Sequence, residues 1–301
     1  MPTGRRKKAI SLRTVAAVKR GSRAYRKVRR RKGTPNRAAK PNLRRNPVRT
    51  QNVLESGGTP VVSVIIPVMN ERRTIAAVIR EARRVHPSTE VIVVANGSQD
   101  GSADIASRAG AKVYAYSEPL GHDVGRSIGA SKALGKVLLF IDGDMVIRAR
   151  ELRPFVRAVE SGTVDVALND YDGPIGKLRV HGVVLAKFAL NAMLRRIDLG
   201  GASMTAVPHA LSRRGLETIG TEALSVPPLA HAKAASLGLT VRRIRHVPVG
   251  ALNKPRPGRE RKQSIEPLIV GDHLEAVEWL VNRHGIRGGN EEIQRQREIV
   301  R

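Results

Sequence analysis

The sequence predicts an α/β fold in which a mostly parallel sheet is flanked by helices. Short runs rich in Val and Ile alternate with segments whose apolar residues recur every three or four positions. Strands that are joined through helices form right-handed crossovers, and these make neighbouring strands parallel. No stretch reaches the roughly 18 to 20 apolar residues that a membrane-spanning helix needs.

The first strands and helices follow one another regularly. Residues 61–66 form a β-branched run that ends at Pro67, and residues 74–85 carry apolar side chains at helical spacing. The pattern continues with predicted strands at 90–95, 112–116 and 136–141 and predicted helices at 101–109 and 123–134. The last of these strands is apolar without interruption, which is typical of a strand buried on both faces.

The second half of the chain is less regular. A β-rich run at residues 164–168 indicates a further strand, and apolar spacing at residues 180–195 indicates a helix. The remaining predictions are strands at 203–207 and 239–247, helices at 209–219, 228–237 and 265–284, and a basic loop at 253–262.

Positive charge is concentrated at the start of the chain. The 301 residues carry a net charge of +28, and residues 1–50 hold 19 of the 54 Lys and Arg and no acidic residue. Such a segment cannot bury enough apolar surface to fold alone. We therefore expect a disordered basic tail at 1–58, a single domain at 59–250, and a basic loop with a C-terminal helix at 251–301.

Composition limits the class of protein and of partner. The chain has no cysteine, which excludes disulfides and thiolate sites, and its 3% of aromatic residues argues against base-stacking platforms for single strands. The basic tail at 1–50 suits an anionic membrane surface, a wall polymer or a nucleic acid, and an organelle transit peptide stays open. We expect a cytoplasmic protein that is peripheral at the membrane.

Two carboxylates follow the most apolar strand. Asp142 and Asp144 are separated only by Gly143, and they come directly after that strand. Open α/β sheets bind ligands at the carboxyl ends of their strands, and hard divalent cations take carboxylate and phosphate oxygens. The pair therefore indicates a nucleotide bound with Mg²⁺ or Mn²⁺. A strand-end turn, in which Asp caps the next segment, is the alternative.

Four motifs appear in order. They are VIIPVMNE at 64–71, VIVVANGSQDG at 91–101, GHDVGRSIGA at 121–130 and FIDGD at 140–144. With these motifs the sequence resembles the family 2 glycosyltransferases over residues 61–250. The resemblance implies a single glycosyltransferase-A domain, which moves a sugar from a nucleoside diphosphate sugar to an acceptor and depends on a metal.

The resemblance also implies roles for individual residues. Asp144 would coordinate the metal and Asp142 would help to hold ribose or metal, so these two are the predicted catalytic residues. The implied nucleotide-sugar-binding residues are Pro67, Met69, Glu71, Asn96, Gly97, Ser98, Arg126 and Gly143. Five of them also have an ordinary interpretation: Glu71 as a helix-start acid, Asn96 to Ser98 as a turn, and Arg126 as a solvated side chain.

The sequence departs from the family pattern at two places. Most relatives read Val-Val-Asp-Asp-Gly-Ser where this chain has Ala95 and Asn96, and the acidic pair that supplies the base in many inverting relatives corresponds to Val226 and Pro227. Glu222 is the nearest acid upstream. An acceptor phosphate is already anionic and needs no general base. A retaining mechanism is the other possibility.

A phosphate acceptor agrees with a second resemblance. The polyprenyl-phosphate sugar synthases, such as dolichol-phosphate mannose synthase, also have a strand that ends in a Val-Pro pair and is followed by a basic loop. Arg256, Arg259 and Lys262 of this chain would then bind acceptor or donor phosphates. Two other classes stay open: a sugar-nucleotide-binding module that lost catalysis, and a polyanion or nucleic-acid binder led by the tail.

Other polar residues are less informative. His181, His209 and His231 show no zinc spacing, so we predict structural roles. The polar run 169–172 follows a predicted strand at the same sheet edge and would line the acceptor side, and the glycine turn 200–203 matches the position of an acceptor-contacting turn in relatives, although ordinary loops account for both.

Overall fold

The computed structural model describes residues 48–50, 58–175, 180–252, 264–296 and 299. Its centre is one sheet in the order β1-β4-β3-β2-β5-β7-β6-β8. The strands are β1 (Val48–Thr50), β2 (Val62–Val68), β3 (Thr89–Asn96), β4 (Lys112–Tyr116), β5 (Val137–Phe140), β6 (Val166–Asn169), β7 (His209–Ser212) and β8 (Val241–Arg245). The described residues belong to one compact unit.

The sheet is parallel in its middle. β2 pairs in parallel with β3 and with β5, and β3 pairs in parallel with β4. β5 is buried along its whole length, as the uninterrupted apolar run predicts. The carboxyl ends of these four strands therefore meet at one edge, which we call the carboxyl edge.

Helices cover both faces of the sheet. They are α1 (Ile75–Ala82), α2 (Ser102–Arg108), α3 (Val124–Lys132), α4 (Ala149–Glu160), α5 (Gly182–Met193), α6 (Arg213–Ile219), α7 (Pro227–Ser236), α8 (Val249–Leu252) and α9 (Glu266–His284). α1 buries Ile75, Val78, Ile79 and Ala82, which are the apolar positions of its helical pattern. Alternating residues of β5 enter the two opposite clusters, with Leu139 in one and Phe140 in the other.

The second half of the chain corrects two predicted elements. Residues 203–207 form turns rather than a strand, and the predicted helix at 209–219 begins with strand β7. β7 lies antiparallel between β5 and β6, with Leu139 opposite Ala210. A four-residue strand has too few positions to show a period, so the adjacent helical pattern of α6 extended the prediction across it.

Two helices were not predicted from the sequence, the four-residue α8 and the longer α4. α4 buries Leu152, Phe155, Val156 and Val159 at helical spacing, and Pro154 lies inside it. Pro154 is the sixth residue of α4, past the amides that have no partner within the helix, so the helix lacks the hydrogen bond from this position to the Arg150 carbonyl.

Parts of the predicted ends lie outside the described residues. Within the expected tail at 1–58, the structure describes Val48–Thr50, which pairs antiparallel with β4, and residue 58 onwards. The basic loop with Arg256, Arg259 and Lys262 is not among the described residues. In the described ranges, none of the helices has the length and apolar character to cross a bilayer.

Candidate functional site

Hydrogen bonds join the loops that follow the central strands. Thr74 Oγ1 donates to the Gly143 carbonyl at 2.7 Å, which ties the loop after β2 to the loop after β5. The Asn70 amide donates to Ser98 Oγ at 3.1 Å, which ties the loops after β2 and β3. The carboxyl edge is therefore an interlinked set of loops and carries most of the residues that the motifs single out.

The acidic pair lies in the loop after β5. The Asp142 side chain is 32% exposed, and Asp144 is half-buried beside it. Gly143 between them is buried, and a Cβ there would lie 2.8 Å from Val68 Cγ2 and 3.3 Å from the Pro67 carbonyl oxygen. Only glycine fits this close approach to β2. Packing thus holds the two carboxylates on either side of a buried glycine.

Arg126 lies beside Asp142 of the acidic pair. Its side chain is 6% exposed, with Nη2 3.3 Å from Asp142 Oδ1 and Nε 3.1 Å from Asp123 Oδ1. Burial alone would lower the pKa of the guanidinium, but Asp123 and Asp142 outweigh burial and raise it above its ordinary value. Arg126 was predicted to meet a phosphate. In the structure it is a buried cation that pairs with Asp142, and its binding of a phosphate stays a prediction.

The loop after β2 is fixed by the start of α2. The Glu71 amide donates to Ser102 Oγ at 2.7 Å, and the Arg72 amide donates to Asp100 Oδ2 at 3.0 Å. Burial raises the pKa of Asp100, whereas hydrogen bonds from Ser102 and Arg72 lower it, and the net result is a lowered pKa. The Glu71 side chain is 4% exposed. Glu71 is thereby held at the carboxyl edge.

Other predicted binding residues of the first two loops organise the backbone. Pro67 and Val68 end β2, Met69 is 38% exposed, and Ser98 Oγ donates to the Val68 carbonyl at 3.2 Å. Gly97 has a φ of +67°, and a Cβ there would lie 2.9 Å from the Pro119 ring. Gly97 thus allows the loops after β3 and β4 to pack together, and Ser98 ties the loop after β3 to the end of β2.

Asn96 ties the end of β3 to the loop after β4. Its Oδ1 accepts from the Leu120 amide at 2.5 Å, and its Nδ2 donates to the Gly121 carbonyl at 2.8 Å. Both polar ends of the side chain therefore bind the backbone of the loop after β4. Binding of a base by Asn96 remains a prediction.

A second cluster of polar side chains lies after β6. Arg243 pairs with Asp170 and Asp172, and Asp172 Oδ1 accepts from the Gly201 amide at 2.8 Å. Burial lowers the pKa of Arg243, but the two aspartates outweigh burial, so its pKa is raised. Asn191 of α5 donates to the carbonyls of Gly200 and Ala202 at 2.8 and 2.9 Å. The glycine turn 200–202 is thus held from both sides.

The buried histidines are structural. His209 stacks on Phe140 with a centroid distance of 4.9 Å, and His231 Nε2 lies 2.7 Å from Asn191 Oδ1. Burial lowers the pKa of each imidazole to about 3. His181 caps the start of α5. Within the described ranges, no group of three His, Cys, Asp or Glu is placed to hold a metal.

The two positions that correspond to the catalytic base of inverting relatives carry no acidic side chain. Val226 and Pro227 begin α7, and Glu222 is exposed in a 3-10 helix at Thr221–Ser225. Two surface cavities, of about 470 and 510 Å³, lie away from the acidic pair. They are lined by the ends of α1 and α4 and by residues of β8 with the 3-10 turn before Gly200. The acidic pair belongs instead to an open edge.

Sequence reasoning missed several supporting residues. Asp123 lies three positions before Arg126, and a carboxylate at that helical spacing is a signal for an ion pair. Asp100 precedes Ser102 by two positions, which is the spacing of an Asx turn. The contact between Thr74 and Gly143 spans 69 residues and leaves no local signal.

Known proteins share this arrangement of elements. The crystal structure of glucosyl-3-phosphoglycerate synthase from Mycobacterium tuberculosis, in complex with Mn²⁺, uridine diphosphate and phosphoglyceric acid, superposes with a TM-score of 0.56. The two proteins are 19% identical, and the match covers 72% of this chain and 78% of that one. At this identity the similarity shows the fold.

Curated relatives match a smaller part of the chain. Glycosyltransferase AglE of Haloferax volcanii is 33% identical over 115 residues, which are 36% of this chain and 38% of that protein. The 4,4'-diaponeurosporenoate glycosyltransferase of Staphylococcus haemolyticus is 28% identical over 155 residues, which are 50% of this chain and 40% of that protein. The chain thus spans well under two thirds of either relative. The sequence model of Glycosyl transferase family 2 matches residues 63–216, which is half of the chain and contains all four motifs, and the chain therefore belongs to that family.

Proposed function

We propose that this chain is a metal-dependent glycosyltransferase that moves a sugar from a nucleoside diphosphate sugar to an acceptor. The observation that carries the proposal is the acidic pair Asp142 and Asp144, held around a buried glycine at the carboxyl edge with Arg126 beside Asp142. Family membership over residues 63–216 supports the reaction class.

The donor would bind along the carboxyl edge. Glu71 is well placed to accept from ribose hydroxyls, because its backbone is fixed on Ser102 and it lies in the loop tied to Gly143 through Thr74. The loops around Ser98 and Asn96 would take the base. In this arrangement Asn96 acts by shaping the loop after β4, since its amide already binds Leu120 and Gly121.

The acidic pair fits a hard divalent cation. Two carboxylates supply oxygen ligands of the kind that Mg²⁺ and Mn²⁺ prefer, and the donor diphosphate and water would complete the coordination shell. A cation held there neutralises negative charge on the departing nucleoside diphosphate. The neighbour from Mycobacterium tuberculosis was crystallised with Mn²⁺ and uridine diphosphate, which supports this proposal.

The protein's own groups would prepare that site. The buried Arg126 would hold the half-buried Asp142 carboxylate in place, and Asp144 would be the principal ligand. Preorganised charge of this kind stabilises a transition state without reorganisation during the reaction.

The acceptor would be a lipid phosphate or a cell-surface polymer. An acceptor phosphate oxygen is anionic near neutral pH, so transfer to it needs no base at the positions of Val226 and Pro227. Arg256, Arg259 and Lys262 would bind its phosphate, and the basic residues 1–50 would favour an anionic surface.

Donor binding followed by transfer tests the proposal. Nucleoside diphosphate sugars are screened by thermal shift with and without Mn²⁺, because a ligand of the folded state raises the melting temperature. Asp144→Asn should abolish the Mn²⁺-dependent shift and transfer, whereas Asp104→Asn, an exposed aspartate of α2, should change neither. Equal activity of Asp144→Asn and the parent chain would overturn the proposal.

The same experiment separates the alternative classes. A chain that binds donor with Mn²⁺ but neither transfers nor hydrolyses it would be a binding module that lost catalysis. Deletion of residues 1–50 should leave donor binding intact. If the deletion abolished the chain's principal activity, the polyanion-binding alternative would be correct.

A further inference from the structure

A surface cavity at the ends of α1 and α4 gathers basic side chains. Its volume is about 470 Å³, which is within the range of cavities that bind small molecules. Four arginines line it, Arg83 and Arg84 at the end of α1 and Arg153 and Arg157 in α4. Among the described residues of the lining, Glu160 is the one acid. We call this the arginine cavity.

The arginine cavity lies far from the acidic pair. Pro87, which also lines it, comes two residues before β3 begins at Thr89, so the cavity lies at the amino ends of the parallel strands. β3 has eight residues, and at about 3.3 Å each they place the cavity roughly 25 Å from the carboxyl edge. A ligand of the arginine cavity would therefore be separate from a donor bound at the carboxyl edge.

The positive charge of the arginine cavity is only partly compensated. Arg84 Nη1 lies 3.2 Å from Glu81 Oε1, and Glu160 Oε1 lies 3.4 Å from His86 Nε2. The other three arginines form no ion pair with a described residue. Like charges that share a concave surface repel one another, and an anion bound between them relieves that repulsion.

Helix capping does not account for this number of arginines. A basic residue in the last turn of a helix favours the helix dipole, and α2, α3 and α7 each carry one there. α1 has Arg80 in that position, outside the lining of the cavity. Arg83, Arg84 and Arg153 are therefore additional to the ordinary pattern.

One arginine is oriented by the backbone. Arg153 donates from Nε and Nη2 to the Arg84 carbonyl, at 3.3 and 3.0 Å. A guanidinium has more N–H donors than these two contacts use, so others stay available to a ligand. Val85 and Val156 give the lining a packed apolar part, with 5% and 1% exposure. The cavity is thus organised before a ligand binds, which lowers the entropic cost of binding.

The second surface cavity shows the contrast. It has three arginines in its lining, of which Arg196 pairs with Asp198, and Arg243 pairs with Asp170 and Asp172. Two of its three arginines are compensated by carboxylates, against one of four in the arginine cavity. The arginine cavity is therefore the more electropositive of the two.

We propose that the arginine cavity binds a compact ligand that carries two or more phosphate groups. Three uncompensated guanidinium groups require more than one negative charge, and a phosphate group carries about 1.5 to 2 near pH 7. Arginine also matches phosphate oxygens with paired N–H donors. A soluble phosphate compound and a lipid headgroup share this chemistry. The site does not depend on the proposed function.

Calorimetric titration of the full chain with inorganic pyrophosphate tests the proposal. EDTA is present, so that no divalent cation links pyrophosphate to the acidic pair, and salt is kept at about 0.15 M. The variants compared are Arg157→Gln and Arg108→Gln. Both arginines are exposed, lie in the last turn of a helix and form no ion pair with a described residue. Arg108 is outside the lining, and the basic residues 1–50 are the same in both variants.

Binding in the arginine cavity predicts a clear difference between the variants. Arg157→Gln should weaken pyrophosphate binding by about tenfold, because one charge-assisted contact is lost. Arg108→Gln should stay within about twofold of the parent chain, since it changes only the distant, screened charge. Equal binding by the two variants would overturn the proposal in favour of general attraction to a basic surface.

Vesicles separate the two sources of phosphate. The same variants are co-sedimented with phosphatidylcholine vesicles that contain cardiolipin, whose headgroup carries two phosphates. Weaker binding of Arg157→Gln both here and to pyrophosphate identifies a headgroup as the ligand, and a loss confined to pyrophosphate identifies a soluble compound. A loss confined to vesicles would overturn the proposal, because the cavity would then not bind the phosphates themselves.

A measurement on the parent chain keeps the proposal testable if a variant fails to fold. Phenylglyoxal modifies accessible arginines, and mass spectrometry gives the rate at each position. Pyrophosphate should slow the modification of Arg83, Arg153 and Arg157 and leave the rate at Arg108 unchanged. Equal rates with and without pyrophosphate at the three cavity positions would overturn the proposal.

Discussion

Arg126 Nη2 lies 3.3 Å from Asp142 Oδ1, and the guanidinium reaches Asp123 on its other side. The side chain of Arg126 is 6% exposed, so this cation is compensated by carboxylates rather than by water. One of its partners belongs to the acidic pair. The stability of the fold and the geometry of the candidate site therefore depend on the same ion pair.

Replacement of Arg126 tests this dependence. Arg126→Met should destabilise the chain by about 3 kcal/mol, because it removes the arginine partner of the buried Asp123 and leaves that carboxylate with His122 alone. It should also weaken Mn²⁺-dependent donor binding, since Asp142 loses its support. Urea unfolding measures the first effect and calorimetric titration the second. Arg108→Met, at the exposed end of α2, should stay within about 0.5 kcal/mol of the parent chain. Equal unfolding free energies for the two variants would refute a structural role of the ion pair.

Gly143 provides a steric test of the acidic loop. Gly143→Ala should cost about 1 to 3 kcal/mol, because the added methyl group would meet Val68 Cγ2 at 2.8 Å and must push the loop away from β2. Donor binding should fall with it, as both carboxylates move. The control is Gly271→Ala in α9, where an added Cβ meets nothing within 4 Å. That change should stabilise the chain by up to about 1 kcal/mol, and a loss of stability at Gly271 similar to that at Gly143 would contradict the steric explanation.

The central sheet could be predicted because its signals are local. β2, β3 and β5 are continuous apolar runs, and α1 repeats apolar residues at helical spacing. Parallel order then brings the ends of the strands together. The acidic pair was found for this reason, since it comes directly after the most apolar of these strands.

The remainder depends on contacts between distant residues. β7 is a strand only because β5 and β6 lie on either side of it, and four residues carry no visible period. The engagement of Asn96 by Leu120 and Gly121 required the loop after β4 to be in place. The burial of Lys187 and Asn191 in α5, with Leu185 and Phe188 exposed, likewise becomes visible only when the neighbours of the helix are known. The composition of α5 alone indicates a buried helix.

The buried imidazoles predict an acid-sensitive fold. Burial lowers the pKa of His209 and of His231 to about 3 in the folded chain, against 6.5 for an unperturbed histidine. Between these values the unfolded chain binds more protons, so stability is lost as the pH falls below about 6.5. At pH 5 each residue should cost about 2 kcal/mol relative to neutral pH.

Urea unfolding between pH 4 and 8 measures this loss. His231→Asn should flatten the curve, because it removes one of the two titrating rings. Phe140→Leu removes the stacking partner of His209 without removing a titrating group, so it should lower stability evenly across the range. A parallel curve for His231→Asn and the parent chain would show that His231 is not the source of the pH dependence.

The buried Lys187 predicts a change in stability at alkaline pH. It is 5% exposed, and its Nζ lies 3.4 Å from the Tyr171 carbonyl. Burial lowers its pKa to about 8, with Arg243 adding to that effect and Asp172 opposing it. Above pH 8 the unfolded chain still binds a proton that the folded chain has lost. Stability should therefore rise between pH 8 and about 10.5, and the cost of the buried ammonium is present in full below pH 8.

Substitution should remove this cost. Lys187→Met keeps the length of the side chain without its charge, so it should stabilise the chain at pH 7 by up to about 3 kcal/mol. The gain should fade between pH 8 and about 10.5, because the folded parent chain then holds the lysine in its neutral form, and above 10.5 the lysine is neutral in both states. Lys132→Met, at the exposed end of α3, controls for loss of a positive charge and should show neither effect. Lys187 lies on the inner side of α5. If Lys187→Met were less stable than the parent chain at pH 7, the ammonium would stabilise the fold. The conclusion that burial of its charge destabilises the chain would then be wrong.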